Sequence, residues 1–250
     1  MRRIQAVYFD AVGTLLFPDP PAEQVYAAVA KRWGLSVTAA EVRQRLRQAF
    51  LREEERDRQY GWRVDESREL TRWRTIVRTC FAQAEPEQFE AIFYELYQHF
   101  AQPQAWRLAT QAAMVLTSLY QRQRFVGIAS NYDGRLRRVV AGIPTLAPLR
   151  DHLVISAEVG YRKPAAAFFA AVVQQAACPA HQILYVGDDW DNDYQGARHA
   201  GLQAVLYRPI ISTTDTTILG PSLSPVPAPS ASADALIITQ LQQVLDHLDE

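Results

Sequence analysis

Two aspartates, a serine and a lysine could carry chemistry in this 250-residue sequence. Asp10 closes the apolar run 4–9 and is followed by Gly13 and Thr14. A carboxylate at the end of a buried strand, followed by such a turn, can act as a nucleophile. Asp188 ends a second apolar run, 183–186, behind Gly187. Two acids at neighbouring strand ends can share a hard cation, and magnesium takes oxygen ligands from one or two carboxylates plus water and a phosphate. The cation would offset the repulsion between a carboxylate nucleophile and a phosphate dianion. Lys163 supplies a compact positive charge suited to holding carboxylate and phosphate together. It is one of only two lysines, with Lys31, among 26 basic residues. Ser130 offers a hydroxyl at the end of the run 125–129, where backbone N–H groups can also bind a phosphate oxygen.

These residues need elements to place them. The runs 4–9, 125–129, 153–156, 183–186 and 204–207 read as strands, bounded by turn residues. Helical patterns near 108–121, 134–141, 165–176 and 193–200 alternate with them, and Gly201 suits a helix C-cap. Alternating strands and helices predict a parallel sheet covered on both faces. Ligands of such sheets bind beyond the carboxyl ends of the strands. Asp10, Ser130 and Asp188 all fall at those ends.

The stretch from about 22 to 100 is different. It reads as helices only: one at 22–33, a second capped by Thr38 with Val42, Leu46 and Phe50 at helical spacing, and two more around 66–83 and 86–100. Prolines at 18, 20, 21 and 103 bracket the block. The expected division is therefore a core of 1–17 and 103–250 with an all-helical insertion of 18–102. Residues 212–233, rich in Ser, Thr, Pro and Ala, read as a loop, and 235–248 as a last short strand and helix.

Composition sets the limits. Apolar residues make up 48% and charged residues 21%, ordinary for a globular protein with a sizeable core. The net charge of −1 gives no general attraction to nucleic acid or to an anionic membrane, so neither is an expected partner. Cys80 and Cys178 form no C-x-x-C and no zinc spacing, and read as idle thiols in a reducing compartment. The N-terminal apolar run is too short for a signal peptide, so a cytoplasmic location is expected. The arginine-rich and acid-rich stretch from Arg43 to Arg78 reads as a salt-bridged helix surface, with one or two arginines free to reach an anionic substrate. The five histidines show no ligand spacing.

Four segments together resemble the motifs of the haloacid dehalogenase superfamily, in the expected order. They are Phe9-Asp10-Ala11-Val12-Gly13-Thr14-Leu15, Ile128-Ala129-Ser130-Asn131, Gly160-Tyr161-Arg162-Lys163-Pro164, and Val186-Gly187-Asp188-Asp189 through Asp193. The resemblance covers about 4–20 and 105–210. It implies a Rossmann-like, doubly wound α/β fold with a small all-helical cap domain inserted after the first motif. It also implies Asp10 as nucleophile and magnesium ligand, Val12 lending its backbone carbonyl to the metal, and Asp188 as a further ligand. Asp193 would be an outer partner or a ligand, and Ser130 and Lys163 would hold the transferring group. Thr14 and Asn131 would support the loops and complete the substrate-binding set. Asp189 either assists the metal or caps the next helix.

One position departs from the phosphatases of this family. They usually carry a second aspartate two residues after the nucleophile, where this chain has Val12. That acid protonates the leaving oxygen, and such help is worth roughly 10²–10⁴-fold. The resemblance therefore points first to a magnesium-dependent phosphatase of a small phosphorylated metabolite. Two alternatives stand beside it: a low-activity or non-catalytic binding protein, and a 2-haloacid dehalogenase. The dehalogenase branch also lacks the second acid, but needs no magnesium and typically carries a neutral residue in place of Asp188.

Overall fold

The computed structural model describes residues 3–209 and 235–248. Strand β1 (Ala6–Phe9) leads into β2 (Leu16–Pro18) and then four helices: α1 (Ala22–Arg32), α2 (Ala39–Gln59), α3 (Glu66–Cys80) and α4 (Pro86–His99). The chain returns through β3 (Trp106–Leu108) and α5 (Ala112–Gln121) to β4 (Phe125–Ser130) and α6 (Arg135–Gly142). Next come β5 (Leu153–Ile155), a single turn α7 (Ser156–Val159), α8 (Ala166–Ala176) and β6 (Ile183–Gly187). A π-helical turn, Trp190–Gln195, precedes the short α9 (Gly196–His199), β7 (Gln203–Tyr207) and β8 (Ile237–Ile238).

Six strands form one parallel sheet in the order β5-β4-β1-β6-β7-β8. The chain runs outward from β1 on one side, then crosses back to continue on the other. The crevice where the order reverses lies at the carboxyl end of β1, the usual ligand position in open α/β sheets. Residues along β1 alternate between the two faces. Val7 and Phe9 join a core with α5 and α6, whereas Ala6 and Tyr8 join a second core with α8. The fold is thus the doubly wound α/β sheet expected.

The four helices α1–α4 build a separate apolar cluster around Tyr26, Phe50, Ile76, Phe81 and Ile92. Thr38 closes a capping box with Glu41 at the start of α2. The chain enters and leaves this block through β2 and β3, which pair antiparallel, Leu16 against Leu108 and Pro18 against Trp106. Sequence periodicity had no hold on these two strands, each three residues long and one containing a proline. It also reads 193–200 as one helix, where the structure has a π-helical turn followed by a single α-helical one, and 241–247 is a 3-10 helix. The expected loop at 212–233 lies outside the described residues. Among those residues no helix is long and apolar enough to cross a membrane.

The helical block meets the core at the carboxyl edge of the sheet. Gly134 N–H donates to Glu66 Oε1 at 2.8 Å and Asn192 Nδ2 to Glu54 Oε1 at 3.0 Å. Between α2 and α3 the backbone pairs with the loop that carries Lys163: Val64 N–H to Gly160 O at 3.1 Å, Arg162 N–H to Trp62 O at 2.9 Å. Asp57 of α2 and Glu69 of α3 ion-pair with Arg162, and Asp57 also binds Arg68 and Arg72.

Candidate active site

The loops after β1, β4, β5 and β6 all contribute side chains at the crevice. Asp10 follows β1 directly, and its N–H continues the ladder to Val186 O at 2.8 Å. Lys163 Nζ lies 2.8 Å from Asp10 Oδ1, 2.6 Å from Asp193 Oδ1 and 3.0 Å from the Tyr185 hydroxyl oxygen. Ser130, at the end of β4, lies beside the Asp10 carboxylate and favours its ionised form. Thr14 Oγ1 donates to Asp188 Oδ1 at 3.3 Å. Lys163 itself is fixed by Asn131, whose amide accepts from Lys163 N–H at 2.7 Å and donates to Lys163 O at 3.2 Å. The structure thus brings Asp10, Thr14, Ser130, Asn131, Lys163, Asp188 and Asp193 together, and Val12 lies in the same loop two residues beyond Asp10.

Two glycines are steric requirements of this packing. A Cβ on Gly13, which has φ +94°, would lie 2.5 Å from the Asp188 carboxylate oxygens. A Cβ on Gly187 would lie 2.3 Å from Asp193 Cγ. The π-helical turn presents Asp193 toward Lys163 while its other oxygen accepts from Asp189 N–H at 2.9 Å. Asp189 caps that turn, accepting from Asp191 and Asn192 N–H at 3.0 and 2.8 Å.

The electrostatics are lopsided. Carboxylate oxygens of Asp10, Asp188 and Asp193 all lie within 4.8 Å of one another, and all three residues are buried. One ammonium faces three carboxylates. Burial, then repulsion from Asp193, Asp10 and Asp189, holds the Asp188 carboxyl well above the usual range. Burial also raises Asp10, with Lys163 and Ser130 working against it. Burial opposes the charge of Lys163, but Asp10 and Asp193 outweigh it and keep the ammonium protonated. The charge imbalance and the all-oxygen donor set fit a divalent cation such as magnesium. Asp10 and Asp188 would be the residues to hold it, since both Asp193 oxygens are already engaged, by Lys163 and by the Asp189 N–H.

Two contributors escaped the sequence reading. Tyr185 accepts from Lys163 and donates to Ala129 O at 2.6 Å, relaying the lysine to the β4 backbone. Its signal was a tyrosine inside a buried strand, whose hydroxyl must find a partner. Arg162, 1% exposed, is the ion-pair hub beside Lys163. A basic residue adjoining a motif lysine was the only hint.

Beside this cluster lies a cavity of about 80 Å³ between the helical block and the core. Val12 and Asn131 line it from the loops after β1 and β4, Phe50, Trp73 and Leu96 from the helices, and Tyr132 from the core.

A family model described as haloacid dehalogenase-like hydrolase matches residues 4–201. Haloacid dehalogenase-like hydrolase domain-containing protein 3 of Mus musculus is 28% identical over 213 residues, covering 82% of each chain. Among solved structures, L-2-haloacid dehalogenase from Xanthobacter autotrophicus with chloropropionic acid covalently bound superposes with a TM-score of 0.68. It has 22% identity, covering 96% of each chain. A HAD phosphatase from Thermococcus onnurineus gives 0.59 at 19% identity, covering 98% of this chain and 99% of its own.

Proposed function

Because the chain belongs to the haloacid dehalogenase-like hydrolases, we propose that it is a magnesium-dependent phosphatase of a small phosphorylated molecule, with Asp10 as nucleophile. The observation that carries this reading is the buried convergence of Asp188 and Asp193 on Asp10 and Lys163. A dehalogenase has no use for so much uncompensated negative charge. A phosphatase does, because magnesium held by Asp10 and Asp188 would neutralise the repulsion between carboxylate and phosphate.

The chain's own groups would divide the work as follows. Lys163 keeps Asp10 ionised, orients it, and adds positive charge where the phosphate must sit. Ser130 and the backbone N–H groups after β4 bind a phosphate oxygen. An Asp10 oxygen attacks phosphorus, and the electron pair of the broken P–O bond leaves with the organic group. Water then attacks the aspartyl phosphate, restoring Asp10 and releasing inorganic phosphate, which takes up the water's proton. Val12 donates no proton in the first half, so the leaving group departs as an anion. The helical block, 18–102, would act as a cap that keeps bulk water from the intermediate.

Phosphate release from a panel of acyl, aryl and alkyl phosphates, with magnesium and with chelator, tests the reading. Activity is expected only with magnesium, and Asp10→Asn should lower it by on the order of 10³-fold or more. Full activity in chelator, or retention of activity by Asp10→Asn, would overturn it. A second reading, dehalogenation, is favoured by Val12 and the apolar cavity beside it. Chloride release from 2-chloropropionate in chelator would select it.

A further inference from the structure

The organic part of the substrate has a place to sit, and its walls describe the occupant; this extends the phosphatase reading above and depends on it. The cavity between the helical block and the core measures about 80 Å³. A cavity of ~150 Å³ admits benzene, so about half that volume suits a short aliphatic chain better than an aromatic ring. Val12 carries its wall to within two residues of Asp10.

Most of the lining is carbon, but three guanidinium groups also line it, those of Arg72, Arg135 and Arg162. One, Arg135, is fully engaged by the protein. Arg135 binds Asp133 through Nε and Nη2 and Tyr97 O through Nη1. Arg162 keeps a buried Nε without a hydrogen bond but pairs with two carboxylates, Glu69 and Asp57. Arg72 has one carboxylate partner, and a shared one. It is 3% exposed, gives Nε to Asp57 Oδ2 at 3.0 Å, and keeps Nη2 buried with no hydrogen-bond partner. Asp57 is moreover shared with Arg68 and Arg162. Burial, and then the like charge of Arg162, push the Arg72 pKa down, as expected of a cation short of anionic company. Buried donors in native proteins are nearly always satisfied, and an unpartnered one on a residue that lines a cavity marks where a ligand acceptor belongs.

We propose that this cavity binds the organic part of the substrate as a short aliphatic chain ending in a carboxylate, with Arg72 Nη2 donating to that carboxylate. The substrate class is then a phosphorylated short-chain carboxylic acid. Its phosphate lies at Asp10 and Lys163, its chain lies past Val12, and its carboxylate lies among the helices.

Isothermal titration of the magnesium-loaded protein with ω-carboxyalkylphosphonates of one to four methylenes tests this without turnover. Propylphosphonate, phenylphosphonate and inorganic phosphate are the comparison ligands. One chain length should bind about 10–100-fold more tightly than propylphosphonate, the worth of one charge-assisted hydrogen bond. Phenylphosphonate should bind no better than inorganic phosphate. Arg72→Gln should erase the carboxylate's advantage and leave propylphosphonate binding unchanged. Val77→Phe fills the cavity from another wall, and should weaken every chain-bearing phosphonate while leaving inorganic phosphate as it was. That variant keeps the test decisive if Arg72→Gln does not fold. Equal affinity for propylphosphonate and the carboxylated series, tightest binding by phenylphosphonate, or an undiminished advantage in Arg72→Gln overturns the inference. Failure of inorganic phosphate and every phosphonate to bind strikes the phosphatase reading instead.

Discussion

On the phosphatase reading, Val12 would put two methyl groups where a phosphatase of this family has a carboxyl. Neither Asp133 nor Asp19 stands ready to replace it. Asp133 is fully buried with both oxygens on Arg135, and Asp19 is exposed to solvent. Turnover should therefore depend steeply on leaving-group basicity, with acyl and aryl phosphates ahead of alkyl phosphates. Val12→Asp should accelerate alkyl phosphates most, by about 10²-fold, because a proton donor helps most when the departing oxygen is basic. Rates measured at saturating magnesium across a leaving-group series check this. A flat series in the wild type, with no gain in the variant, would mean that protonation does not limit the reaction.

At the scale of elements, the α2–α3 corner and the Lys163 loop are held together by buried charge. Asp57 serves three arginines, and Arg162 joins it to Glu69, 93 positions distant in sequence. Removing one partner of a buried pair typically costs about 3–5 kcal/mol, since it strands the other. Asp57→Asn should lose stability of that order in urea unfolding, whereas Arg74→Gln, which breaks the exposed pair with Glu90, should leave the midpoint nearly unchanged. A small effect of Asp57→Asn would show that water replaces the carboxylate there. The same elements show what a sequence exposes. Asp10, Ser130 and Asp188 were legible because each ends an apolar run, and Thr38 because a cap precedes a periodic helix. The β2–β3 pair was not, being too short for alternation to register. The π-helical turn that aims Asp193 was not either, since a π and an α register differ by one residue in spacing. The Arg162 hub joins residues brought together only by the finished fold, and no local pattern encodes that.

For the whole molecule, the unbalanced carboxylate cluster is a stored liability that a cation relieves. Magnesium at a hundred times its dissociation constant should stabilise the fold by about 2.7 kcal/mol, a rise in Tm of roughly 5–10 °C for a chain of this length. Asp188→Asn should raise Tm in the metal-free protein, by removing one of three mutually repelling groups, and should abolish the magnesium shift. Calorimetry with and without magnesium reads both, and a magnesium shift that survives Asp188→Asn would place the cation elsewhere. One further property belongs to the molecule as a whole. The two crossings into the helical block lie side by side as β2 and β3, with Pro18 opposite Trp106 in an antiparallel pair. A pair in that register is what a tight hairpin turn would close. The chain thus enters and leaves the block through one two-stranded socket, and helices of other lengths and linings could be fitted there without re-threading the core. Substrate choice and bond-breaking chemistry can then change at separate times in the history of such a chain.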